Sequence, residues 1–474
     1  MLQQGLAGQL DEQPLPRGLM GKLRPYQKRG YSWLTSVTGV GFGACLADDM
    51  GLGKTLQMLA LMQSLAEANP GRRFLVVCPT SVIGNWVREI RKFAPQLRAV
   101  IHHGGSRAQT LEKLTKRADG DDAKRSSVIV TSYALVRGDQ ELLANIMFDV
   151  LALDEAQNIK NPDAAQSHAV RKLKAVRRVA LTGTPLENRL TELWSILDFL
   201  NPGLLGSRGF FNKVFALPVE RYGDEDVAAR LRRVTAPFIL RRLKTDSNIA
   251  PELPEKGELT RFCPMTHEQA ALYQATLDRA LEDIKALEQG MQRRGKILAM
   301  LTALKQICNH PGHFLGDGRF DARRSGKLVR FLELYRDVLD EDGHALVFTQ
   351  YRVMGEILSQ VLSEASGVEI PFLHGGVSRT GRERLVTSFQ SRFGPPAMIV
   401  SLRAGGTGLN LTRANHIFHY DRWWNPAVEA QAIARAHRLG QQRPVFAYRL
   451  IAKDTVEEKI AQLQEPKEEL KKRN

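Results

Sequence analysis

Hydrophobic positions along the chain fall into two similar blocks with a different pattern between them. From about residue 22, short apolar and β-branched runs stand at Phe74–Cys78, Val128–Thr131, Val150–Leu153 and Val179–Thr182. Each gives way to polar turn residues and then to apolar positions three and four apart. That alternation predicts parallel strands covered by helices. Between about 190 and 312 the helical period takes over. Phe210, Phe211, Phe215, Ile239, Leu240 and the segment Glu268–Leu287 carry it, with Pro237, Pro251, Pro254 and Pro264 as punctuation. This stretch predicts helical insertions and a linker, not a third sheet. Strand-like runs return at Ala345–Thr349, Glu369–Phe372, Ala397–Ser401, His416–Tyr420 and Val445–Ile451. The expected fold class is α/β, with two parallel-sheet lobes at 1–250 and 251–474. Helical material leaves the first from about 190 and reaches about 312 in the second, whose own core spans about 320–465. The Glu/Lys-rich tail 455–474 reads as a helix that packs through Ile460 and Leu463.

Composition agrees with that division. The chain has 474 residues, 43% of them hydrophobic, which is more than one ordinary domain needs. Lys and Arg number 67 against 51 Asp and Glu, a net charge of +16, so a polyanion such as nucleic acid is the expected partner. The four cysteines, Cys45, Cys78, Cys263 and Cys308, are scattered, which argues against a disulfide framework or a zinc finger. Cys308, His310 and His313 form a compact set of metal-ligand types. Without a second cysteine pair they read as a helix end followed by a Pro-Gly stop. No signal segment or membrane-length apolar run is present, which points to a soluble, intracellular protein.

Three motifs carry chemistry. Asp48-Asp-Met-Gly51-Leu-Gly53-Lys54-Thr55 places glycines where a strand turns into a helix. Backbone N–H groups and the helix dipole there favour a phosphate. Lys54 would reach the β- and γ-phosphates, and Thr55 would ligate magnesium. The usual pattern opens with a glycine six residues before the lysine, whereas here Asp48 and Asp49 follow Ala47. Asp154-Glu155-Ala-Gln157 ends an apolar strand. There Asp154 can hold magnesium and Glu155 can polarise a water, although an Asp-Glu pair after a strand also serves as a helix cap. Arg435 and Arg438, three apart on an expected helix, would share a face. They suit either a transferring phosphoryl group or a nucleic-acid backbone. Gln27, in Leu23-Arg-Pro-Tyr-Gln27, has the donor and acceptor needed to pair an adenine edge.

These residues, in this order, resemble the motifs of superfamily-two helicases. The resemblance narrows with Leu181–Arg189, Leu193–Pro202, Leu240–Asp246, Gln306–Pro311, Ser401–Leu411, Asp421-Arg-Trp-Trp-Asn-Pro426 and Arg435–Gln441. Together they are similar to the Swi/Snf-type ATPases, the motors of chromatin remodelling and their bacterial relatives, over roughly residues 20 to 470. The resemblance implies two RecA-like lobes and ATP with Mg2+ as the nucleotide and its metal. It implies a DNA-stimulated ATPase that tracks along double-stranded DNA without parting the strands and acts on a DNA-bound protein. A monomeric motor without a membrane is expected, cytoplasmic and nucleoid-associated in a bacterium or nuclear in a eukaryote. Gln27, Asp48, Gly51, Gly53, Lys54, Thr55 and Gly408 match nucleotide-binding positions. Lys54, Asp154, Glu155, Arg435 and Arg438 match the hydrolysis set, with Arg435 and Arg438 as arginine fingers. Thr80, Thr131, Thr349, His374, Thr407 and Trp424 fall in stretches that line the family's DNA path.

Two departures stand out. Gln157 occupies a position where many relatives carry His, which leaves open how the acidic motif connects to Thr182-Gly-Thr184. An extra tryptophan, Trp423, precedes Trp424, and a core role for Trp424 competes with a DNA role. The chain opens almost at the adenine motif, as a bare motor or a piece of a longer protein would. Two rival functions remain: a strand-separating helicase of the same superfamily, and an ATP-gated DNA-binding scaffold with little turnover.

Overall fold

In the computed structural model, every strand pairing in both sheets is parallel. The structure describes residues 11–105, 107, 109, 125–183, 189–244, 246, 249, 254–287, 290–402, 409–438 and 440–463, with Arg379 described for its backbone alone. The chain divides into two units, Met1–Pro251 and Glu252–Asn474.

The first unit is built on seven strands: β1 (Ala44–Leu46), β2 (Arg73–Cys78), β3 (Arg98–Ile101), β4 (Ser127–Ser132), β5 (Met147–Asp154), β6 (Lys174–Leu181) and β7 (Ile239–Leu240). Their order in the sheet is β3-β4-β2-β5-β6-β1-β7. The central runs are apolar on both sides because helices cover both faces. Phe74–Cys78 and Val150–Leu153 are fully buried. The helices Pro25–Gly39, Lys54–Ala68, Ile83–Phe93 and Leu190–Leu200 supply much of the cover. One core joins them to the sheet, with Trp86, Phe148 and Phe199 fully buried.

The second unit has six strands: β8 (Lys256–Cys263), β9 (Ala345–Thr349), β10 (Phe372–Leu373), β11 (Ala397–Ser401), β12 (His416–His419) and β13 (Val445–Ala452). Their order is β10-β11-β9-β12-β13-β8. Helices Gly326–Asp340 and Arg352–Ser366 pack on one core, in which Phe331 meets Phe418 and Tyr420 edge-on. A second core gathers Leu346, Phe348, Met398, Val400 and Ile417.

The expectation for 190–312 needs correction in two places. Helices dominate it, including His267–Lys285 and Met291–Asn309. However, Ile239–Leu240 and Lys256–Cys263 are edge strands, β7 of the first sheet and β8 of the second. β7 is two residues long and exists because Ala47 N and Asp49 N donate to the carbonyls of Leu240 and Arg242, at 2.7 and 3.0 Å. β8 alternates exposed and part-buried positions, as an edge strand does. The expected strand at Glu369–Phe372 is shorter, Phe372–Leu373, and follows Pro371, which has no N–H to donate. In the tail, Ile460 is buried as expected, but Leu463 is exposed. His310, far from a metal ligand, caps the helix Pro311–Leu315 by accepting from Gly312 N at 3.0 Å, and its other nitrogen meets the Asp321 carbonyl.

His419, at the end of β12, is fully buried and stacked on Phe348, and neither ring nitrogen has a hydrogen-bond partner. Burial, the dominant effect, pulls its pKa down to about 4, while Glu429 opposes the shift. Between that value and the ordinary one near 6.5, the unfolded chain binds the proton and the folded chain does not. Stability from the neutral ring is therefore present above pH 6.5 and is lost as the pH falls towards 4. Going from pH 7.5 to 5, this one group is expected to cost roughly 2 kcal/mol. The check is urea unfolding of wild type and His419→Phe at both pH values. The variant should lose less stability on acidification by about that amount.

Candidate nucleotide site

The ends of three strands of the first sheet, β1, β5 and β6, bear the expected chemistry. β1 runs into the loop 47–53, where Gly51 and Gly53 adopt φ +84° and +77°. Gly53 then begins the helix Lys54–Ala68. A Cβ on Gly53 would lie 2.3 Å from Gln27 Nε2, so the position excludes any side chain on two grounds. Lys54 Nζ turns back on its own loop and donates to the carbonyls of Asp48 and Asp49 at 2.5 and 3.2 Å. Burial lowers its pKa, and the nearby Glu155, Asp48, Asp154 and Asp49 act the other way.

The loop's shape depends on Asp48, which the resemblance counts among the nucleotide-binding positions but whose carboxylate points into the fold. Asp48 is fully buried, and its carboxylate is clasped by Arg242, through Nε at 2.8 Å and through Nη2. Arg242 also donates to the Tyr26 carbonyl and to Gln57 Oε1, and it lies over the Tyr26 ring. Asp48 thus presents its backbone carbonyl to Lys54, while its carboxylate is spent inside the fold. Gln27 is buried as well. Its amide donates to the Leu52 carbonyl at 3.1 Å and accepts from Arg24 N at 3.0 Å, so it braces the phosphate loop directly.

β5 ends at Asp154. Trp86 Nε1 donates to Asp154 Oδ2 at 2.8 Å, and Glu155 N donates to Oδ1 at 3.0 Å. Tyr133 donates its hydroxyl to the Asp154 carbonyl at 2.8 Å. Burial, then the neighbouring Glu155 charge, push the Asp154 carboxyl up to about 6, against the Trp86 hydrogen bond and Lys54. Glu155 itself sits at φ +50°, a left-handed conformation that a side chain rarely adopts. Gln157 settles the link that its identity had left open. Its amide nitrogen donates to Glu155 Oε2 at 2.8 Å, and its oxygen accepts from Thr182 Oγ1 at 2.9 Å. A glutamine therefore joins the acidic pair to the end of β6.

The described residues fit a nucleotide with a divalent cation. Gly53 keeps the loop open to backbone approach, Lys54 holds an ammonium that only its own loop carbonyls satisfy, and Thr55 and Asp154 supply hard oxygen ligands.

In the second unit, the helix Pro426–Ile433 stops before both arginines, so Arg435 and Arg438 lie in the turns that follow and not on one helical face. The reason is local. Arg435 N and Ala436 N donate to the carbonyls three residues back, Ala432 and Ile433, both at 3.1 Å, which tightens the turn, and the Arg435 carbonyl is taken by Leu411 N at 3.0 Å. Arg435 is buried, and Arg438 is half-buried and donates to the Leu409 carbonyl at 3.4 Å.

The expected DNA residues divide. Thr80 is exposed just after β2, and His374 is half-buried after β10. Trp424 is 48% exposed, so it is not a core aromatic. Thr131 and Thr349 are fully buried and their hydroxyls are used, by His102 at 2.9 Å and by Asp421 at 2.5 Å. Neither offers a surface, which corrects the expectation of direct contact. Thr407 and Gly408 lie outside the described residues, as does Thr184. Trp86, Tyr133 and Arg242 are site residues that sequence reasoning missed. No local spacing signals them, since each meets its partner across 21 to 194 residues.

Residues 26–313 match the SNF2-related domain, and residues 326–440 match the helicase conserved C-terminal domain. The chain is similar to YwqA of Bacillus subtilis (strain 168), a candidate ATP-dependent helicase/translocase, with 46% identity over 98% of this chain and 50% of that one. It is 33% identical to the Homo sapiens DNA excision repair protein ERCC-6, over 94% of this chain and 32% of that one. Among solved structures it is similar to the Sulfolobus solfataricus SWI2/SNF2 ATPase core in complex with dsDNA. There the identity is 41%, the TM-score is 0.50, and 98% of this chain and 94% of that chain are covered. The chain spans half or less of the length of the curated relatives named. No helix among the described residues is long and apolar enough to cross a membrane.

Trp86→Phe tests the setting of Asp154. The hydrogen bond favours the charged carboxylate, so its loss pushes the Asp154 pKa further above 6. More of the carboxyl is then protonated at pH 7. Mg2+-dependent nucleotide binding should weaken roughly three- to tenfold at pH 7 and recover towards wild type near pH 8.5, measured by Mg2+ titration at both pH values.

Proposed function

The chain belongs to the SNF2 family, and from that premise we propose that it is an ATP-driven motor that translocates on double-stranded DNA and displaces or remodels proteins bound there. The observation that supports this most is the assembly of Gly53 and Lys54 after β1 with Asp154 and Glu155 at the end of β5, one strand away, and Gln157 tying Glu155 to Thr182 after the intervening β6. The likeness to a SWI2/SNF2 core complexed with dsDNA, and the net charge of +16, support duplex DNA as the track.

ATP hydrolysis supplies the free energy of the cycle. Lys54 exchanges its loop carbonyls for phosphate oxygens, and the N–H groups of the glycine turn donate to the remaining ones. Asp154 and Thr55 would hold Mg2+, which would neutralise phosphate charge. Glu155 takes a proton from the attacking water, and Gln157 fixes its orientation. Because the same glutamine bonds Thr182, a shift of the segment after β6 would reorient the base. That gives DNA contact a route to turnover. Arg435 and Arg438 supply guanidinium charge to the transferring phosphoryl group, a contribution typically worth ~10³–10⁵ in rate. DNA contact is mainly to phosphate, so it is salt-sensitive and weakly sequence-specific.

The scaffold reading is less well supported, because a binding module has no need of Lys54, Asp154, Glu155, Arg435 and Arg438 together. Duplex DNA is expected to raise ATP turnover about tenfold or more and to support triplex displacement without fork unwinding. Equal turnover with and without duplex defeats the motor reading, and fork unwinding moves it to a strand-separating helicase. Arg435→Ala should retain nucleotide binding and lose hydrolysis by about 10³ or more. Loss of binding or of folding instead would make Arg435 a structural residue, which binding titration and circular dichroism distinguish.

A further inference from the structure

The turn Asp421–Pro426 carries the exposed Trp424, and buried charge holds it from beneath. Asp421 is fully buried and accepts from Thr349 Oγ1, from Gln350 Nε2 at 2.8 Å and from Asn309 Nδ2 at 3.4 Å. Glu429, buried on the following helix, accepts from Trp423 N at 3.1 Å and pairs with Arg422. The third support comes from the helix Met291–Asn309. Lys305 is 2% exposed, and its ammonium donates to the Arg422 carbonyl at 2.5 Å while lying 5.6 Å from the centre of the Trp424 ring. A lysine is seldom buried to this degree, because hiding the ammonium costs several kcal/mol unless nearby groups offset it. Here the offset comes from the Arg422 carbonyl, the Trp424 face and the nearby carboxylates of Asp421, Glu457 and Glu429, against the opposing charge of Lys327.

We infer that Lys305 is a positioning residue that holds the Trp424 ring in its DNA-receptive orientation. Through Lys305 the helical hairpin 267–309 sets how strongly duplex DNA stimulates ATP turnover. The hairpin is itself fastened to the core. The Asn309 carbonyl accepts from the Ser325 and Tyr420 hydroxyls, and Gln269, which ties the two helices together through the Ile307 and Cys308 carbonyls at 2.8 and 3.2 Å, accepts from Gly326 N at 3.0 Å. A force on the hairpin therefore reaches Lys305 along a hydrogen-bonded helix end. Lys305 touches the backbone carbonyl and the ring together, so it fixes both where the turn begins and which way Trp424 faces. The inference rests on the duplex-motor reading, since it concerns the response to duplex.

Lys305→Met keeps the length and the apolar stem and removes the charge. In the full chain, DNA-free ATP turnover is expected to stay within about twofold of wild type, while the half-stimulating duplex concentration rises about tenfold. Trp424→Leu is expected to raise that concentration similarly, and the double variant is expected to add nothing further. A duplex response unchanged in Lys305→Met overturns the inference, as does an effect that multiplies with Trp424→Leu. A parallel fall in DNA-free turnover also overturns it. If Lys305→Met does not fold, the ring series decides. Trp424→Phe keeps a weaker aromatic face over the ammonium and should fall between wild type and Trp424→Leu, whereas Phe and Leu behaving alike refutes the role. Wild type that duplex does not stimulate instead sinks the duplex reading, and that measurement precedes any variant. Acrylamide quenching of Trp424, taken as the difference from Trp424→Phe, gives a readout without DNA. It should increase in Lys305→Met or Lys305→Ala, and an unchanged value refutes the contact.

Discussion

Parallel pairing is the constraint on which the rest depends. A parallel strand must be followed by a crossover before the next strand can begin in the same direction, so all strand ends of one kind gather at one edge of the sheet. In the first unit that edge collects the loop after β1, Asp154 after β5 and Thr182 after β6. In the second it collects Thr349 at the end of β9, His374 after β10 and Asp421 after β12. Residues far apart in the chain become neighbours without any of them being strained into place, Glu155 excepted. The crossover helices bury both faces, and the apolar strands Phe74–Cys78 and Ala345–Thr349 are the result.

Within those sheets, a few buried charges fix the parts that chemistry needs. Arg242 with Asp48 and Lys327 with Glu457 are ion pairs whose members are almost wholly removed from water. Such pairs contribute little net stability, because desolvation offsets attraction, but removing one partner is costly, typically 3–5 kcal/mol. Their value here is geometric. Arg242 makes the phosphate loop, the adenine-motif helix and β7 mutually dependent. Lys327 does the same for the helix Gly326–Asp340, Asn309 and the start of the C-terminal helix.

Much of this was legible in the sequence. The long strands announced themselves by β-branched apolar runs, and Gly51, Gly53, Lys54, Asp154 and Glu155 by their spacing after strands. What escaped was short or distant. β1 and β7 have three and two residues, too few to show a period, and they exist only as partners of other strands. β8 carries Lys256, Glu258 and Thr260 on exposed positions and read as a linker. The helical placement of Arg435 and Arg438 failed because the last turn tightens to bonds three residues back and the distant Leu411 takes the Arg435 carbonyl. Thr131 and Thr349 were placed correctly at strand ends, yet a threonine there can face inward as easily as outward, and only packing decides.

The Arg242–Asp48 clasp also bears on how the chain is made. Its partners are 194 residues apart, and Asp48 is fully buried once the loop forms. A growing chain that has emerged only as far as β6 already holds the glycine turn, Lys54 and both acidic residues, but it lacks the guanidinium that neutralises Asp48. Closing the loop at that stage would bury the Asp48 carboxylate with the Gln57 amide but without its guanidinium, a costly charge that Arg242 later offsets. β7 docks against β1 in the same step, through the carbonyls of Leu240 and Arg242. The packing that shapes the phosphate loop is thus complete only when the last strand of the first unit is laid down.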